Sequence, residues 1–253
     1  MAGERPLQGL PAERLRGPVS DPGGPPERGS RVGVVIPAAG SGERMGGRRK
    51  PWLLLAGEPL LLHALRPFLA RPDVVGVAVA LSVPDLAEPP PWLSALDPRL
   101  LVVAGGTTRT ASVRAGLAAL PADLDLLVVH DAARPLLSRE LLDRCLEAAR
   151  RGQGAVAGRR IVDTVKEVDR AGKVVGTPDR SRLWRAETPQ AFPASVLRAA
   201  YAQEDEEATD DSALVERAGG TVVMVEGSAD NLKVTTPDDL LLAERLLELS
   251  RGR

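Results

Sequence analysis

The stretch VGVVIPAAGSGERMGGRRK, residues 32–50, joins a short apolar run to a loop rich in glycine and basic side chains. A continuous valine-rich run of this length is typical of a strand buried on both faces of a sheet. Four comparable runs follow, and helix-like segments lie between or after them. The runs are at residues 74–81, 100–104, 124–130 and 221–226, and the helix-like segments at 58–70, 110–120, 139–151 and 237–250. This alternation predicts an α/β fold with a mainly parallel, twisted, Rossmann-like sheet flanked by helices.

Two of the helix-like segments begin with capping signals. Ser138 precedes segment 139–151, and a serine hydroxyl at that place accepts a hydrogen bond from an exposed backbone amide. Thr236, Pro237 and Asp239 form a capping-box pattern at the start of the last segment. The two helices are therefore predicted to begin directly after their caps, at residues 139 and 237.

Residues 159–180, RRIVDTVKEVDRAGKVVGTPDR, interrupt this alternation. Two short alternating runs flank an Ala-Gly-Lys turn at residues 171–173, which predicts a β-hairpin. A hairpin inserted into an α/β domain serves as a lid or as a dimerisation arm.

The composition argues against several classes of partner and site. The 253-residue chain has a formal net charge of −1 and 2% aromatic residues, so neither charge nor stacking surfaces favour nucleic acid. The single cysteine, Cys145, excludes an internal disulfide and a multi-cysteine zinc site, and its helical pattern predicts packing.

Residues 1–30 lack periodicity and predict a disordered tail before one domain at 31–253. No segment is apolar enough to span a membrane, and we expect a cytoplasmic protein.

The glycine-rich loop matches neither of the two common nucleotide-binding patterns. A dinucleotide fingerprint needs G-x-G-x-x-G, whereas Gly40, Gly42 and Gly46 are spaced G-x-G-x-x-x-G. A P-loop needs a lysine and a hydroxyl after its last glycine, and two arginines stand there instead. Two interpretations remain. One is a turn whose amides face an anion, with Arg44 and Lys50 as cations; the other is an idle basic loop.

Two later loops offer further groups for binding anions. In AGGTTRTASVRAGL, residues 104–117, Arg109 and Ser112 stand where a helix begins. That place suits a phosphate or a base carbonyl, unless Thr110 only caps the helix. In VEGSADNLKVTTPDDL, residues 225–240, Asp230 is a candidate metal ligand and Lys233 another cation, unless the aspartate only forms a turn.

The loop VVHDAARPLLS, residues 128–138, places a carboxylate, Asp131, directly after a buried strand. A carboxylate there is costly unless a metal or a partner uses it, and Mg²⁺ prefers one or two carboxylates together with substrate phosphates. Arg134 is suited to a second anion, or else it pairs with Asp131. His130 and His63 are interpreted as structural. Because the carboxyl ends of parallel strands meet at one edge, these loops predict a site for a magnesium-bound polyphosphate.

The chain resembles the 2-C-methyl-D-erythritol 4-phosphate cytidylyltransferase family in seven motifs, which stand in the family's order and approximate spacing. They are AAGSGERM, GGTTRTASVRAGL, VVHDAARP, VDTVK, PDRSRLWRAETPQAF, ATDDSALVERAGG and VEGSADNLKVTTPDDLLLAE. The resemblance covers roughly residues 32–248 and implies the nucleotidyltransferase form of the fold. The family joins a sugar-alcohol phosphate to CTP, releasing pyrophosphate, in the non-mevalonate isoprenoid pathway.

The resemblance also implies roles for individual residues, with Mg²⁺ or another divalent cation as cofactor. The implied catalytic cations are Arg44, Lys50, Arg180 and Lys233. The implied nucleotide contacts are Ala38, Ala39, Gly40, Gly42, Gly106, Arg109, Ser112 and Asp131, the last being linked to magnesium. The implied substrate contacts are Arg134, Thr164 and Thr209. Arg180 resembles an arginine supplied by the neighbouring subunit, which implies a homodimer with residues 159–180 as its arm.

The chain departs from the family in the loop that carries the second cation. The family writes R-M-x-x-x-x-P-K-Q-[YF]-L, whereas RMGGRRKPWLLL, residues 44–55, is one residue shorter. Lys50 then aligns with the family lysine and Arg49 takes the place of the proline, so Arg49 is a rival for the catalytic role.

Two alternatives to the implied function remain. The protein is either a cytidylyltransferase for another polyol phosphate, such as ribitol 5-phosphate, or a non-catalytic nucleotide-binding protein.

Overall fold

The main sheet has seven strands within residues 30–40, 49–203 and 208–251, which are the residues that the computed structural model describes. The strands, including those of two small two-stranded sheets, are β1 (Val32–Ala38), β2 (Leu54–Leu55), β3 (Glu58–Pro59), β4 (Val74–Leu81), β5 (Leu100–Ala104), β6 (Leu126–Val129), β7 (Gly154–Arg160), β8 (Glu167–Val168), β9 (Val174–Gly176), β10 (Trp184–Pro193) and β11 (Val222–Glu226). The helices are α1 (Leu60–Leu69), α2 (Val83–Ala87), α3 (Pro91–Ala95), α4 (Arg109–Ala119), α5 (Arg139–Arg150), α6 (Ala194–Gln203), α7 (Asp211–Arg217) and α8 (Pro237–Arg251).

The strand order is β11-β7-β10-β6-β1-β4-β5. Neighbouring strands pair in parallel except β10, which runs antiparallel to both β6 and β7. The chain moves from β1 outward through β4 to β5, then returns to place β6 on the other side of β1. The predicted mainly parallel α/β sheet is confirmed, and its order reverses between β1 and β6.

The sheet packs between two groups of helices, and the alternation of side chains along β1 shows how. Val34 and Ile36 belong to the core on the side of α1 and α5, whereas Val35 faces α4, α6 and α7 on the other side. All three side chains are fully buried. A strand that contributes to two cores must be apolar at every position, which accounts for the continuous valine run.

The predicted strands are confirmed, but two further strands of the main sheet, β7 and β10, were not predicted. The sequence of β7, GAVAGRR, is rich in glycine and alanine, which have weak strand preference. That of β10 contains Pro189, a residue normally kept out of central strands. The pairing of β10 with β7 is irregular between Ala186 and Gln190, and the bond before Pro189 is cis. Residues 187–189 therefore leave the regular ladder, at a place that proves to adjoin the candidate site.

The predicted hairpin is present as β8 and β9, which pair antiparallel. Gly172 has φ of +80° in the turn between them, a conformation that glycine adopts without steric cost. Residues 159–180 are called the arm below. The predicted tail, residues 1–30, lies outside the described residues except for Ser30.

The predicted helix caps are confirmed, with one exception. Ser138 Oγ accepts from Leu141 N at 3.2 Å, and Thr236 Oγ1 accepts from Asp239 N at 3.2 Å. The Asp239 carboxylate in turn accepts from Thr236 N at 2.8 Å, which completes the capping box. The alternative that Thr110 caps α4 is wrong, because the helix begins at Arg109 and Thr108 is its cap.

Cys145 and His63 both pack in the interior, as predicted. Cys145 is fully buried, and burial raises the pKa of its thiol to about 12. His63 is 5% exposed, and its Nε2 lies 2.9 Å from Leu55 O. Among the described helices, none is long and apolar enough to cross a membrane.

His130 holds the loop after β6 in place. Its ring is fully buried, with Nε2 3.0 Å from Arg134 O and Nδ1 3.1 Å from Thr188 Oγ1. A carbonyl can only accept, so Nε2 carries the proton and Nδ1 accepts from the Thr188 hydroxyl. Thr188 Oγ1 in turn accepts from Asp131 N at 3.0 Å. This chain of hydrogen bonds ties residues 131–134 to β10 and confirms a structural place for His130.

The pKa of His130 predicts how stability depends on pH. Burial lowers that pKa to about 4, whereas an unfolded histidine titrates near 6.5. Between those values the unfolded chain binds a proton that the folded protein does not, so the free energy of unfolding falls as pH falls. We expect a loss of up to about 3 kcal/mol from pH 7 to pH 4, measured by urea unfolding.

The matched variant is His130→Asn, which removes the titrating group. It should be less stable than the parent at pH 7 but should lose less stability between pH 6.5 and 4.5, since carboxylates act mainly below that range. Equal pH dependence in the two proteins would contradict this account.

Candidate functional site

A cavity of about 340 Å³ opens at the carboxyl ends of β1 and β6, where the strand order reverses. Ligands of open α/β sheets bind in that crevice. The predicted site residues that line it are Ala38, Ala39, Gly40, Lys50, Gly106, Arg109, Ser112, Asp131 and Lys233. Residues that line it without having been predicted are Pro37, Pro51, Thr107, Thr108, Ala132 and Ala133. Loops far apart in the sequence therefore meet at one edge of the sheet, as expected.

One wall is the turn that leads into α4. Gly106 N donates to Ser112 Oγ at 3.1 Å, and the Ser112 hydroxyl donates to Thr108 O at 2.9 Å. A Cβ at position 106 would collide with the side chain of Ala111, so only glycine allows the turn to lie this close to the helix. The first turn of α4 thus faces the cavity, and a helix N-terminus favours anions.

Asp131 lines the cavity and pairs with several cations. Its Oδ2 accepts from Lys233 Nζ at 2.7 Å and its Oδ1 from Arg109 Nε at 3.3 Å. The alternative pairing with Arg134 is also present but longer, since Arg134 Nε lies 3.9 Å from Asp131 Oδ2. Burial raises the pKa of Asp131, but Arg109, Lys233 and Arg134 together hold it well below its usual range. The carboxylate is therefore charged at every working pH.

Arg109 is fixed from its other side by a carboxylate that sequence reasoning did not name. Its NH2 group donates at 2.7 Å to Asp211, which is fully buried. Tyr201 Oη donates to the same carboxylate at 2.6 Å. Asp211 lies within the motif ATDDSALVERAGG, but the motif gives no sign that this aspartate contacts Arg109, 102 residues earlier in the chain. Arg109 thus stands between two carboxylates.

Arg134 lies beside the cavity rather than in its lining. It is 7% exposed, and its NH1 group donates to Asn231 O at 2.8 Å and lies 3.6 Å from the carboxylate of Glu187. Glu187 is 1% exposed and also accepts from Arg159 Nε at 3.2 Å and from Asn231 Nδ2 at 2.9 Å. Glu187 was not predicted, because it belongs to the irregular part of β10. Its charge fixes the arginine next to the candidate site.

The structure separates the two rivals for the second cation. Lys50 lines the cavity, whereas the guanidinium of Arg49 forms an ion pair with Asp85 outside the lining. The side chain of Arg49 is half exposed, and that of Asp85 is 5% exposed. Position therefore favours Lys50, in agreement with the alignment. Arg44 and Gly42 lie outside the described residues.

Four predicted residues lie away from this cavity. Thr164 and Arg180 belong to the arm, where Thr164 is exposed and Arg180 NH1 donates to Val162 O at 2.6 Å. Thr209 is exposed before α7. Asp230 lines a second cavity, with Ser138 and Leu247, and so the structure does not bring it to Asp131 as a shared metal ligand.

Comparisons with known proteins identify the family of the chain. The chain matches the family described as 2-C-methyl-D-erythritol 4-phosphate cytidylyltransferase over residues 32–249. It is 42% identical over 224 residues to a protein of that name from Acaryochloris marina, covering 85% of this chain and 93% of that protein. The crystal structure of a protein of that name from Thermus thermophilus has a TM-score of 0.72 at 38% identity, covering 86% of this chain and 99% of the other.

A third comparison has a lower sequence identity and a higher structural similarity. The crystal structure of 4-diphosphocytidyl-2C-methyl-D-erythritol synthase from Anaerococcus prevotii has a TM-score of 0.77 at 30% identity, covering 87% of this chain and 97% of the other. The match over residues 32–249 spans the whole main sheet and every loop that lines the cavity. This chain belongs to the 2-C-methyl-D-erythritol 4-phosphate cytidylyltransferase family.

Proposed function

We propose that this protein transfers the cytidylyl group of CTP to 2-C-methyl-D-erythritol 4-phosphate, giving 4-diphosphocytidyl-2-C-methyl-D-erythritol and pyrophosphate. The observation that carries the proposal is the charge of the cavity lining: among the described residues, Lys50, Arg109 and Lys233 outnumber the one carboxylate, that of Asp131. An excess of cations beside a helix N-terminus suits a polyanionic ligand such as a nucleoside triphosphate. The names of the relatives give the acceptor, 2-C-methyl-D-erythritol 4-phosphate, and the cytidylyl group that is transferred. CTP is the donor that we propose for that group.

The reaction requires the protein to position the two substrates and to stabilise negative charge. It does not require a general base. A phosphate monoester is largely dianionic at pH 7, so its oxygen attacks the α-phosphorus of CTP without losing a proton to the enzyme. The new phosphoanhydride bond forms as the bond to pyrophosphate breaks, in line. Lys50 and Lys233 reduce the repulsion between the two anions and stabilise the charge that builds in the transition state. His130 takes no part, because its ring is buried and holds the loop.

One residue of this site, Asp131, is suited to bind a divalent cation. Asp131 is charged and nearly buried, and carboxylate oxygen is the donor that Mg²⁺ prefers. Among residues 30–40, 49–203 and 208–251, no group of three or more histidine, cysteine or acidic side chains is placed to hold a metal. We therefore propose Asp131 as the protein's ligand, with phosphate oxygens as the others. When bound, Mg²⁺ would neutralise phosphate charge, as it does in other phosphoryl-transfer enzymes.

The nucleotide and the sugar phosphate are assigned to different parts of the site. We propose that the turn at Gly106, Arg109 and Ser112 contacts the nucleotide, because it lines the cavity at the start of α4. Arg134 and Thr209 lie outside the lining and remain proposed contacts of the sugar phosphate. The cytoplasmic location expected from the sequence stays a prediction.

The test of the reaction is pyrophosphate release from CTP with each candidate acceptor. With Mg²⁺ present, we expect turnover with 2-C-methyl-D-erythritol 4-phosphate and little with ribitol 5-phosphate, and we expect EDTA to abolish it. A preference for ribitol 5-phosphate would replace the named acceptor. Binding of CTP without turnover on either acceptor would favour a non-catalytic protein.

The same assay decides between Lys50 and Arg49. Lys50→Ala should lower kcat by about 10²-fold or more, the scale seen when one preorganised donor is lost. Arg49→Ala should lower it less, since Arg49 pairs with Asp85 outside the cavity lining. A larger loss in the Arg49 variant would show that Arg49, and not Lys50, is the catalytic cation.

We propose further that the protein acts as a homodimer through the arm. The arm exposes apolar side chains that a second copy would cover, with Val162 at 78%, Val168 at 52% and Val175 at 59% exposure. Clusters of exposed apolar side chains are typical of association surfaces. Thr164 and Arg180 lie on the same arm and away from this chain's own cavity, which suits a role in the cavity of the partner.

Complementation between two inactive variants tests this arrangement. Lys50→Ala and Arg180→Ala remove groups that would meet in one site but come from different subunits. Co-expressed, they should recover roughly a quarter of the parent activity, because half of the dimers are mixed and each mixed dimer has one intact site. Sedimentation of Val168→Lys should show more monomer. Recovery of no activity by co-expressed variants would place Arg180 in its own subunit's site or outside any site.

A further inference from the structure

The residues on either side of Lys50 are held by one buried carboxylate. Residues 50–52 form a single 3-10 turn, and Arg49 stands directly before it. The guanidinium of Arg49 pairs with Asp85 Oδ1, and Trp52 Nε1 donates to the same oxygen at 2.8 Å. Between these two anchors, Lys50 lines the cavity and Pro51 is buried. The backbone at Lys50 is therefore fixed from both sides.

Asp85 is itself fixed to the main sheet. It lies in α2, four residues after β4 ends at Leu81, and is 4% exposed. Ser82 Oγ donates to Asp85 Oδ2 at 2.5 Å and accepts from Asp85 N at 3.3 Å. Burial raises the pKa of Asp85, but hydrogen bonds from Ser82, Trp52 and Arg49 together hold it below its usual value. The carboxylate thus connects the turn at Lys50 to β4, a strand that pairs with β1 on one side and with β5 on the other.

Trp52 adds a second attachment for the same turn. Its ring packs on the core between the sheet and α1, and it meets Trp92 edge to face, with centroids 6.2 Å apart. The chain departs from the family pattern at these very positions, with Arg49 in place of proline and Trp52 in place of tyrosine or phenylalanine. A guanidinium and an indole both carry N–H donors, which suits them to a shared carboxylate.

We infer that Asp85 is a positioning residue for Lys50, acting through Arg49 and Trp52 to aim the lysine into the cavity. The inference rests on the proposed function, because it assigns Asp85 to the reaction only through Lys50. A lysine side chain is a flexible four-carbon stem that rotates about each of its bonds. The placement of its ammonium group therefore depends on how firmly the backbone is held. A misplacement of about 1 Å costs on the order of 10²-fold in rate, and a partial loss of the anchor should cost less.

A double-mutant cycle of Asp85→Asn with Lys50→Ala tests the inference. Asparagine keeps the shape of Asp85 but loses the charge that holds Arg49. We expect Asp85→Asn alone to lower kcat by roughly 10-fold while KM for CTP changes less than about twofold, because the defect lies in the transition state. In the Lys50→Ala background the same change should cost less than about twofold, since its target is gone.

The control is Glu88→Gln, which removes an exposed carboxylate from the end of the same helix. It should leave kcat and the melting temperature unchanged. If Asp85→Asn fails to fold, Trp52→Phe removes one donor while keeping an aromatic ring, and it should show the same dependence on Lys50.

The outcomes separate this inference from the proposed function. A full, multiplicative loss from Asp85→Asn in the Lys50→Ala background would overturn the inference, because the effect would not pass through the lysine. Undiminished kcat in Lys50→Ala itself would overturn the proposed role of Lys50, and the inference with it.

Discussion

A carboxylate buried at the end of a central strand is stable only if cations reach it, and Asp131 imposes this condition on the whole site. The cations come from the start of α4, from the loop before α8 and from its own loop. Its backbone is held by Thr188, on the strand beside it. The requirement to neutralise one charge therefore draws together segments that lie as far as 102 residues from Asp131 in the sequence, and these segments contribute to the cavity.

A second buried carboxylate, Glu187, organises the adjoining region in the same way. It lies where β10 leaves its regular pairing with β7, and irregularities of this kind re-aim side chains next to functional sites. Arg134 and Arg159 both contact it, and Asn231 links it to the loop that carries Lys233. The two carboxylates share Arg134 as a neighbour, so the loop after β6 is fixed from both sides. Removing either charge would leave the buried Arg134 with one carboxylate neighbour instead of two.

Sequence reasoning succeeded where local chemistry decides the structure. Continuous valine runs predicted the parallel strands, and hydroxyl caps predicted the starts of α5 and α8. It failed at β7 and β10, whose glycine, alanine and proline disfavour strands, because there tertiary pairing overrides propensity. It assigned Arg109 and Asp131 to one site but not Asp211, since no spacing reveals a contact across 102 residues. It left Arg49 and Lys50 as rivals, because no sequence pattern shows that Arg49 pairs with Asp85 in α2 while Lys50 lines the cavity.

The ion pairs within the cavity also affect how tightly the protein should bind its substrates. A polyphosphate that enters the cavity meets Lys233 and Arg109 already paired with Asp131, so its binding exchanges one set of charge interactions for another. Such exchange yields less net binding energy than the number of contacts suggests, since each new interaction replaces an existing one. Weak net binding of the ground state is no disadvantage to an enzyme, because only interactions that strengthen in the transition state raise kcat. Cations held in position by carboxylates before the substrate arrives need little reorganisation during the reaction, and preorganised charge of this kind is the main source of electrostatic catalysis.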